Sequence, residues 1–579
     1  MGNGMNGKWA WGRIGTVAVC GLLVFSIATG CKRHRKTRSK ENTGAYSQKI
    51  QPLVQSTKLT FLKVADVGPF QAPVQTFYDD RNYEVAWTRD GKPTKQAEAF
   101  TKAFSDAAQK GLNPEDYDAA RWNGRVAALK SNADDAFAEY DVAMTVAVMR
   151  YVSDIRTGRI NPQHFNFGIN TQEKRYDLPE FISDNAVDAE DVGKLIASAE
   201  PDNDQYRATE QALVKYLDLA KQQKTSGAQD LPTVAKPVAV GGAYPALDAL
   251  AARLQLEGDV QGAPAGAMAY TQEFSDGVKA FQERHGITPD GKLNAQTIAS
   301  MNVPLEQRVL QLQSSLERWR WLPDPYVNAR LVVNLPEFVL RGYSPDRKLD
   351  FTMKVVVGKV VGEHETPVFT HMMKYLIFRP YWNVPTDIAK KDLVPHMEKS
   401  RGYLATKNFE VTNAKGEVLN DYSTEQVARG GVMVREKPGP KNSLGLVKFM
   451  FPNEYDIYLH STPATELFNR TRRDFSHGCV RVQKPEDLAV WVLQDQPNWD
   501  LQEVQDAMNN GADNHQVNLK TPLPIAIFYL TAKVGDDGRV DFFDDIYKYD
   551  QKMQSILQKG PPYPTYSQPM KTKTPGDTV

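Results

Sequence analysis

Residues 475–482 read Phe-Ser-His-Gly-Cys-Val-Arg-Val, which sets Cys479 directly after a glycine and two residues after a histidine. No other cysteine follows residue 31, so Cys479 has no disulfide partner in the body of the protein. A thiol nucleophile needs a base within reach and little steric bulk at the point of attack, and this stretch offers both. It therefore predicts cysteine acyl-transfer chemistry.

Two histidines are candidates for the base, which is needed because a thiol is only partly ionised at neutral pH. His477 is close in sequence, whereas His460 stands nineteen residues before Cys479, at the end of a strand-like run. Because side chains alternate between the two faces of a strand, Tyr458 and His460 share the face opposite the apolar residues of that run. This pattern alone favours neither histidine.

A β-rich region surrounds the cysteine. Runs of β-branched and aromatic residues, bounded by Gly, Pro, Asn or Asp, predict strands at 329–340, 351–358, 374–378, 456–460 and 524–534. Helical periods are few, at 387–399 and 485–493, and Pro485 suits a first helical turn. We expect a catalytic domain over 329–550.

Residues 244–305 predict a compact unit of three helices, which begin near Leu247, Val278 and Asn294. The segment 278–287, Val-Lys-Ala-Phe-Gln-Glu-Arg-His-Gly-Ile, followed by Asp-Gly-Lys-Leu at 290–293, closely resembles the small three-helix peptidoglycan-binding domain of many wall enzymes. The resemblance implies wall binding. The same residues would also build a helical bundle that binds nothing.

The preceding part of the chain, 75–225, has mostly helical patterns and carries no catalytic constellation, so we expect a helical scaffold domain. Residues 136–151 predict a buried helix within it. Residues 226–243, rich in Lys, Pro, Gly and Val, predict a linker.

The N-terminal 31 residues predict export. Basic residues precede an apolar run, Ile14 to Gly30, that is too short and too interrupted for a membrane span. The run ends Ala-Thr-Gly-Cys, which resembles a bacterial lipoprotein signal with Cys31 as the lipidated residue, although that family usually has Leu where Ala28 stands. An uncleaved anchor and an ordinary secretory signal are the alternatives. All three export the chain, and we expect it on the periplasmic side of the cell envelope, lipid-anchored to a membrane.

Two further segments are predicted to lack a core. Residues 32–74 begin with a basic run and predict a tether beside an anionic membrane. Residues 551–579 become rich in Pro and Lys and predict a disordered tail. Since Lys plus Arg and Asp plus Glu number 70 each, no global charge favours a nucleic acid partner.

The cysteine region resembles the L,D-transpeptidase catalytic domain. The resemblance rests on 458–463, on Arg470 and Arg473, and on 476–482. The stretches Phe-Arg-Pro-Tyr-Trp-Asn-Val-Pro at 378–385 and Pro-Gly-Pro-Lys-Asn-Ser-Leu-Gly at 438–445 are similar to the large periplasmic branch of that family. The predicted fold class is therefore multidomain α+β: a helical scaffold, a three-helix peptidoglycan-binding domain and a β-rich L,D-transpeptidase catalytic domain.

The resemblance implies roles for individual residues. Cys479 matches the nucleophile and His460 the general base, which favours His460 over His477. Ser461 matches the residue whose backbone carbonyl orients the imidazole. His477 and Gly478, with Cys479, match the segment whose amides form the oxyanion hole.

Other residues are implied to bind substrate. The region of about 380–430 corresponds to a lid over the cleft, and ordinary packing at a strand end is the alternative for its aromatic residues. The candidate substrate-binding residues are Arg481, Tyr381, Trp382, Asn383 and Tyr458. Arg481 could instead buttress the loop.

The implied activity is attack on a tetrapeptide stem, release of D-alanine and formation of a 3→3 peptidoglycan crosslink. L,D-carboxypeptidase or endopeptidase activity on the same stems, or a non-catalytic wall-binding lipoprotein, are the alternatives. The implied partners are peptidoglycan stem peptides, a membrane through the lipid anchor, and other wall-synthesis proteins. His460, His477 and Cys479 would supply three zinc ligands, but no fourth ligand stands at recognisable spacing, so we expect no cofactor.

Overall fold

Four clusters of buried apolar side chains organise the residues that the computed structural model describes, which are 43–227, 229–262, 266–361, 364–400 and 402–564. The predicted signal segment with Cys31, the basic run up to residue 42 and the end of the tail, 565–579, lie outside the described residues. Their predictions stay predictions.

The first cluster is helical. Its elements are α1 (Thr43–Val54), α2 (Gly68–Asp79), the hairpin β1 (Thr88–Arg89) and β2 (Lys92–Pro93), α3 (Lys95–Ser105), α4 (Trp122–Leu129), α5 (Asp134–Thr157), α6 (Leu178–Phe181) and α7 (Val192–Ala199). Short 3₁₀ helices occupy Ala107–Lys110, Pro114–Tyr117, Ala119–Arg121 and Gln172–Lys174, and a π-helix occupies Ile182–Ala186. A further 3₁₀ helix, Pro162–Phe165, contributes Phe165 to the core of the large sheet instead.

The central helix of this cluster is α5, which is buried along most of its length because apolar residues occupy all of its faces. This agrees with the buried helix predicted over 136–151. Within the described ranges, none of the helices is both long enough and apolar enough to cross a membrane.

From residue 43 onward the structure differs from the predicted tether. Residues of α1 and of the loop that follows it, Ile50, Val54, Leu59 and Val67, are buried in the first cluster. The dense run of basic residues that predicted a tether ends at Lys40, and the apolar side chains after it gain free energy from burial.

The helix α8 (Asp204–Thr225) lies within the predicted scaffold range, yet its apolar side chains belong to another core. Tyr206, Leu213 and Tyr216 are buried with the residues of the catalytic sheet. The helix therefore packs the scaffold side of the chain against the catalytic domain.

The three-helix unit has the predicted elements, α9 (Leu247–Glu257), α10 (Gln272–Arg284) and α11 (Ala295–Met301), around its own core. Gln282 holds its turn together by accepting from the Gly291 amide and donating to the Lys292 carbonyl. His285 is buried, with its ring stacked on Phe281. The motif histidine therefore serves packing in this unit.

The catalytic region begins with α12 (Leu305–Trp321) and α13 (Asp324–Val327), followed by β3 (Leu331–Asn334), β4 (Val339–Tyr343), β5 (Leu349–Gly358) and β6 (Phe369–Phe378). The single strand predicted over 329–340 is thus two strands. Pro336, which has no amide hydrogen, and Phe338, with φ of 60°, lie in the turn between them.

An insertion then forms a small subdomain. It contains β7 (Trp382–Asn383), α14 (Thr386–Ile388), a π-helix (Ala389–Leu393), α15 (Val394–Lys399), α16 (Tyr403–Thr406), β8 (Phe409–Thr412), β9 (Val418–Leu419), α17 (Thr424–Ala428) and β10 (Met433–Glu436). Its sheet has the order β7-β10-β8-β9, and it has its own apolar core.

The remaining elements complete the catalytic region. They are β11 (Val447–Met450), β12 (Leu459–His460), a 3₁₀ helix (Thr465–Asn469), β13 (Asp474–Ser476), β14 (Val480–Val482), α18 (Pro485–Leu493), α19 (Leu501–Asn509), β15 (His515–Phe528), β16 (Ala532–Val534), β17 (Val540–Phe542) and α20 (Tyr549–Lys559). Of these, β16 and β17 form a separate two-stranded sheet. The helix α18 has the bounds that its sequence predicts.

The large sheet has nine strands in the order β13-β5-β14-β12-β11-β6-β15-β3-β4, and β4 also pairs with β5. The β4–β5 pairing joins the two ends, so the sheet closes on itself, with β13 attached at β5. Two of its parallel pairs, β12–β14 and β13–β5, meet at the cysteine segment.

The predicted disordered tail is ordered at its start. Met553, in α20, is buried in the catalytic core, and the Tyr563 hydroxyl donates to the Asp116 carboxylate. The apolar face of α20 outweighs the polar composition that predicted disorder.

Candidate active site

The two predicted catalytic residues lie on neighbouring strands. In the parallel pair β12–β14, Leu459 is opposite Val480 and His460 is opposite Arg481. Leu459 and Val480 are buried in the core, so His460, Cys479 and Arg481 lie on the other face of the sheet. The structure thus brings together two segments that are separate in the sequence.

Cys479 stands directly before β14 and is partly buried. Its Sγ lies 3.6 Å from the carbonyl oxygen of Asp456. The Tyr458 hydroxyl donates a hydrogen bond toward the thiol, and the pKa of Tyr458 is raised well above its usual value by burial and by the charge of Cys479. The thiol is therefore held by the segment that carries His460.

His460 is 4% exposed, and its Nδ1 lies 2.5 Å from the Ser461 carbonyl oxygen. Because a carbonyl only accepts, Nδ1 carries the hydrogen and Nε2 keeps its lone pair. Burial, followed by the charge of Arg481, lowers the pKa of His460 to about 3. The imidazole is therefore neutral at pH 7, as a general base must be.

A tight turn holds the cysteine backbone. The Ser476 hydroxyl donates to the Cys479 carbonyl oxygen at 2.6 Å and accepts from the Gly478 amide at 3.1 Å. The Thr366 hydroxyl donates to the Gly478 carbonyl oxygen at 2.6 Å. Gly478 has φ of 120°, and an added Cβ would lie 3.3 Å from Ile457 Cδ1, so the turn requires glycine.

One contact bears on the predicted oxyanion segment. The Gly478 amide donates to the Ser476 hydroxyl, and the role of the segment toward substrate stays a prediction. The sequence signal for this was the serine two residues earlier, since serine hydroxyls commonly accept from nearby backbone amides.

A second layer supports the turn from distant parts of the chain. The Tyr547 hydroxyl donates to the Gly358 carbonyl oxygen at 2.6 Å, and the Gly358 amide donates to Thr366 at 2.8 Å. Tyr529 in turn accepts from the Tyr547 amide. These residues were not predicted from the sequence, because no local pattern marks their position beside the turn.

His477 lies apart from the thiol–imidazole arrangement. Its ring is exposed, with Nε2 3.5 Å from Asp392 of the insertion and 3.4 Å from the Lys359 ammonium. The ring also packs edge-on against His364. Partial burial and the Lys359 charge lower the pKa of His477. These contacts connect the cysteine segment to the insertion.

The predicted substrate-binding aromatic residues belong to the insertion. The Arg435 guanidinium lies 4.2 Å from the ring centre of Tyr381, and Trp382 packs near Phe409. Asn383, in β7, is exposed and pairs with Arg435 of β10. The described contacts of Tyr381 and Trp382 are thus within the subdomain, and their role toward substrate stays a prediction.

Two cations complete the face around Cys479. Arg481, predicted to touch substrate or buttress the loop, is partly buried, and within the described residues its Nε has no hydrogen-bond partner. Lys448, which sequence analysis missed, pairs in register with His460 across β11 and β12. Its ammonium lies 5.5 Å from the ring centre of Tyr458. The sequence signal that could have identified Lys448 is a single lysine between two apolar residues of a strand.

The described part of the chain holds no group of three or more His, Cys, Asp or Glu side chains placed to bind a metal ion. His460 and Cys479 lie on one sheet face, whereas His477 contacts the insertion.

Three stretches match known domain families. Residues 72–213 match a family described as "Scaffold domain", residues 248–301 match "Putative peptidoglycan binding domain", and residues 328–539 match "L,D-transpeptidase catalytic domain". The closed β-rich sheet with Cys479 and His460 thus lies in the stretch that matches a catalytic-domain family, and the three-helix unit lies in the stretch that matches a peptidoglycan-binding one.

The chain therefore carries one domain that matches the L,D-transpeptidase catalytic family and one that matches a peptidoglycan-binding family. It is also similar to a Haemophilus influenzae protein named "Putative L,D-transpeptidase", with 29% identity over 272 residues. That alignment covers 46% of this chain and 54% of the relative, so the chain matches about half the length of the curated relative.

Proposed function

We propose that the protein is a cysteine-dependent L,D-transpeptidase that forms 3→3 peptidoglycan crosslinks through a thioester on a tetrapeptide stem. The observation that carries this proposal is the pairing of His460 with Arg481 across β12 and β14, which puts the imidazole and Cys479 on one sheet face.

In the first half-reaction, Cys479 Sγ attacks the carbonyl carbon of the bond between meso-diaminopimelate and D-alanine. His460 Nε2 takes the thiol proton and delivers it to the leaving amine, so that the C–N bond breaks and D-alanine departs. The neutral imidazole and the Nδ1 contact with the Ser461 carbonyl support these roles.

The negative charge that develops on the substrate oxygen needs donors. Because Ser476 engages the Gly478 amide, the backbone amides of His477 and Cys479 are the donors of the segment that we assign to this oxygen. One such donor contributes about 3–4 kcal/mol to catalysis.

In the second half-reaction, an amine of another stem attacks the thioester carbonyl. His460 accepts the proton of that amine, the C–S bond breaks, and the thiolate is regenerated. The insertion acts as the lid in this scheme, with Tyr381, Trp382, Asn383 and Tyr458 beside the stem. The contact of Asp392 with His477 supports such a link between lid and cysteine segment.

We further propose that the peptidoglycan-binding unit presents wall strands to the catalytic domain and that Cys31 carries a lipid anchor, with the basic residues after it facing the membrane. The match over 248–301 supports the wall-binding part. The Ala-Thr-Gly-Cys sequence supports the anchor.

The test incubates the full chain with disaccharide-tetrapeptide and reads the products by mass. A crosslinked dimer lighter than two monomers by one alanine supports transpeptidation. A tripeptide monomer alone would mean that water resolves the thioester, which makes the protein an L,D-carboxypeptidase. Unchanged products with Cys479→Ala would contradict a cysteine mechanism, whereas no products with the wild type would favour a wall-binding role.

A further inference from the structure

Lys448 is a partly buried cation with an unusual environment. In the described part of the chain its ammonium has neither a hydrogen-bond partner nor a carboxylate within ion-pair distance, and its one described contact is the Tyr458 ring. A cation removed from water without a counter-charge costs free energy, and a ring face offsets only part of that cost. Another negative group near it would explain its position.

The sheet register identifies that group. Lys448 of β11 is opposite His460 of β12, which is opposite Arg481 of β14. Tyr458 lies two residues before His460 on the same face, and Cys479 lies two residues before Arg481. The Lys448 ammonium approaches the Tyr458 ring. On the other side of Lys448, β6 contributes Ile377, which carries no charge. Two groups near Tyr458 can be negative, the exposed Asp456 carboxylate and the thiol of Cys479, and the charge that acts on Lys448 is that of Cys479.

The electrostatics agree with this geometry. Burial lowers the pKa of Lys448, and the charge of Cys479 opposes that shift. Burial also lowers the pKa of Arg481, and the charges of Cys479 and Glu466 oppose that shift. Both cations also oppose protonation of His460. They therefore favour a thiolate beside a neutral imidazole over an imidazolium.

We propose that the Lys448 ammonium, held on β11 beside Tyr458, stabilises the thiolate form of Cys479. This inference rests on the proposed role of Cys479 as nucleophile. Ionisation breaks the S–H bond, leaves the electron pair on sulfur and passes the proton to solvent or to His460 Nε2. Lys448 acts on the thiolate in either case, so its effect does not depend on His460.

The experiment measures the thiol pKa of Cys479 in the full chain from the pH dependence of iodoacetamide alkylation, with the modified residue located by peptide mass. Lys448→Met is expected to raise that pKa by about one unit and to slow alkylation at neutral pH about tenfold, as expected for one nearby charge at a half-buried site. Lys448→Arg should stay close to wild type. Lys374→Met, on neighbouring β6 with an exposed side chain, is the matched control and should change nothing.

The same shift is expected when Lys448→Met is made in a His460→Ala background. An unchanged thiol pKa in Lys448→Met would overturn the inference, and a raised KM with unchanged thiol pKa would assign the ammonium to a substrate carboxylate instead. Thermal unfolding checks that each variant is folded, and Lys448→Gln replaces the methionine variant if that one is not. A shifted thiol pKa without any stem acylation in the wild type would leave the inference standing and contradict the proposed function.

Discussion

His460 and Arg481 lie opposite each other on the parallel strands β12 and β14. The arginine charge adds to the effect of burial on the imidazole, so the pKa of His460 falls to about 3. Arg481, two residues after the nucleophile, thus helps to keep the imidazole neutral. The cysteine and histidine segments interact electrostatically as well as through hydrogen bonds.

The first prediction concerns the protonation of His460. Because its pKa is lowered to about 3, the imidazole should remain neutral throughout pH 5 to 8. The NMR chemical shifts of the imidazole carbons, followed with pH in protein labelled at histidine, measure this directly. The His460→Gln variant assigns the signal. A titration midpoint near the ordinary value of about 6.5 would contradict the account.

The second prediction concerns the left-handed backbone at Gly478. Gly478→Ala should lower the free energy of unfolding by about 1–3 kcal/mol and slow acylation at least about tenfold, because φ is 120° and the new Cβ would press on Ile457. Gly262→Ala is the control, since Gly262 has φ of 141° with no neighbour within 4 Å. Equal acylation rates in the two variants would argue against a role of the turn in catalysis.

The third prediction concerns the serine that braces the turn. Ser476→Ala removes the donor to the Cys479 carbonyl and the acceptor of the Gly478 amide, which should cost about 2 kcal/mol of stability and slow acylation. Chemical denaturation and acylation kinetics check it. Ser198→Ala, which removes an exposed hydroxyl in α7, should stay within about 0.5 kcal/mol of wild type. A Ser476→Ala variant as active as the control would show that the turn holds without this hydroxyl.

The fourth prediction concerns the scaffold domain. Burial raises the pKa of Asp154 to about 7, although Tyr117 donates a hydrogen bond to it. The unfolded carboxyl has a pKa of about 4, so between about pH 4 and 7 the folded state binds more protons, and stability falls as pH rises through that range.

Asp154→Asn, which stays uncharged, should therefore gain stability relative to wild type by about 3–4 kcal/mol between pH 4 and 8. Denaturation of both proteins at the two pH values measures the difference. A difference that does not change with pH would mean that Asp154 titrates normally.

The sequence predicted elements whose signal is local. The helix α18 begins at Pro485 and ends at Leu493, and the three helices of the three-helix unit also follow from apolar spacing and turn residues. The β-strands were predicted less well than the helices. The strand predicted over 456–460 has only two residues in the structure. The subdomain sheet also includes two strands of only two residues, β7 and β9, which form through pairing with β10 and β8.

The candidate site was predicted in part. Cys479 and His460 followed from motif and resemblance, but Lys448, Thr366 and Tyr547 did not. Each of these residues reaches the site through strand register or packing between segments far apart in the chain, and such contacts leave no local pattern. The tether prediction was wrong from residue 43 onward, because the few apolar side chains there are buried in the first cluster.

The most direct test of the central claim follows the intact mass of the protein after mixing with tetrapeptide stem, with peptide mapping of the modified residue. The account predicts a transient adduct equal to the stem minus D-alanine, located on Cys479, absent in Cys479→Ala and formed slowly in His460→Ala. Turnover of the stem without any adduct on Cys479, or with the adduct on another residue, would contradict it.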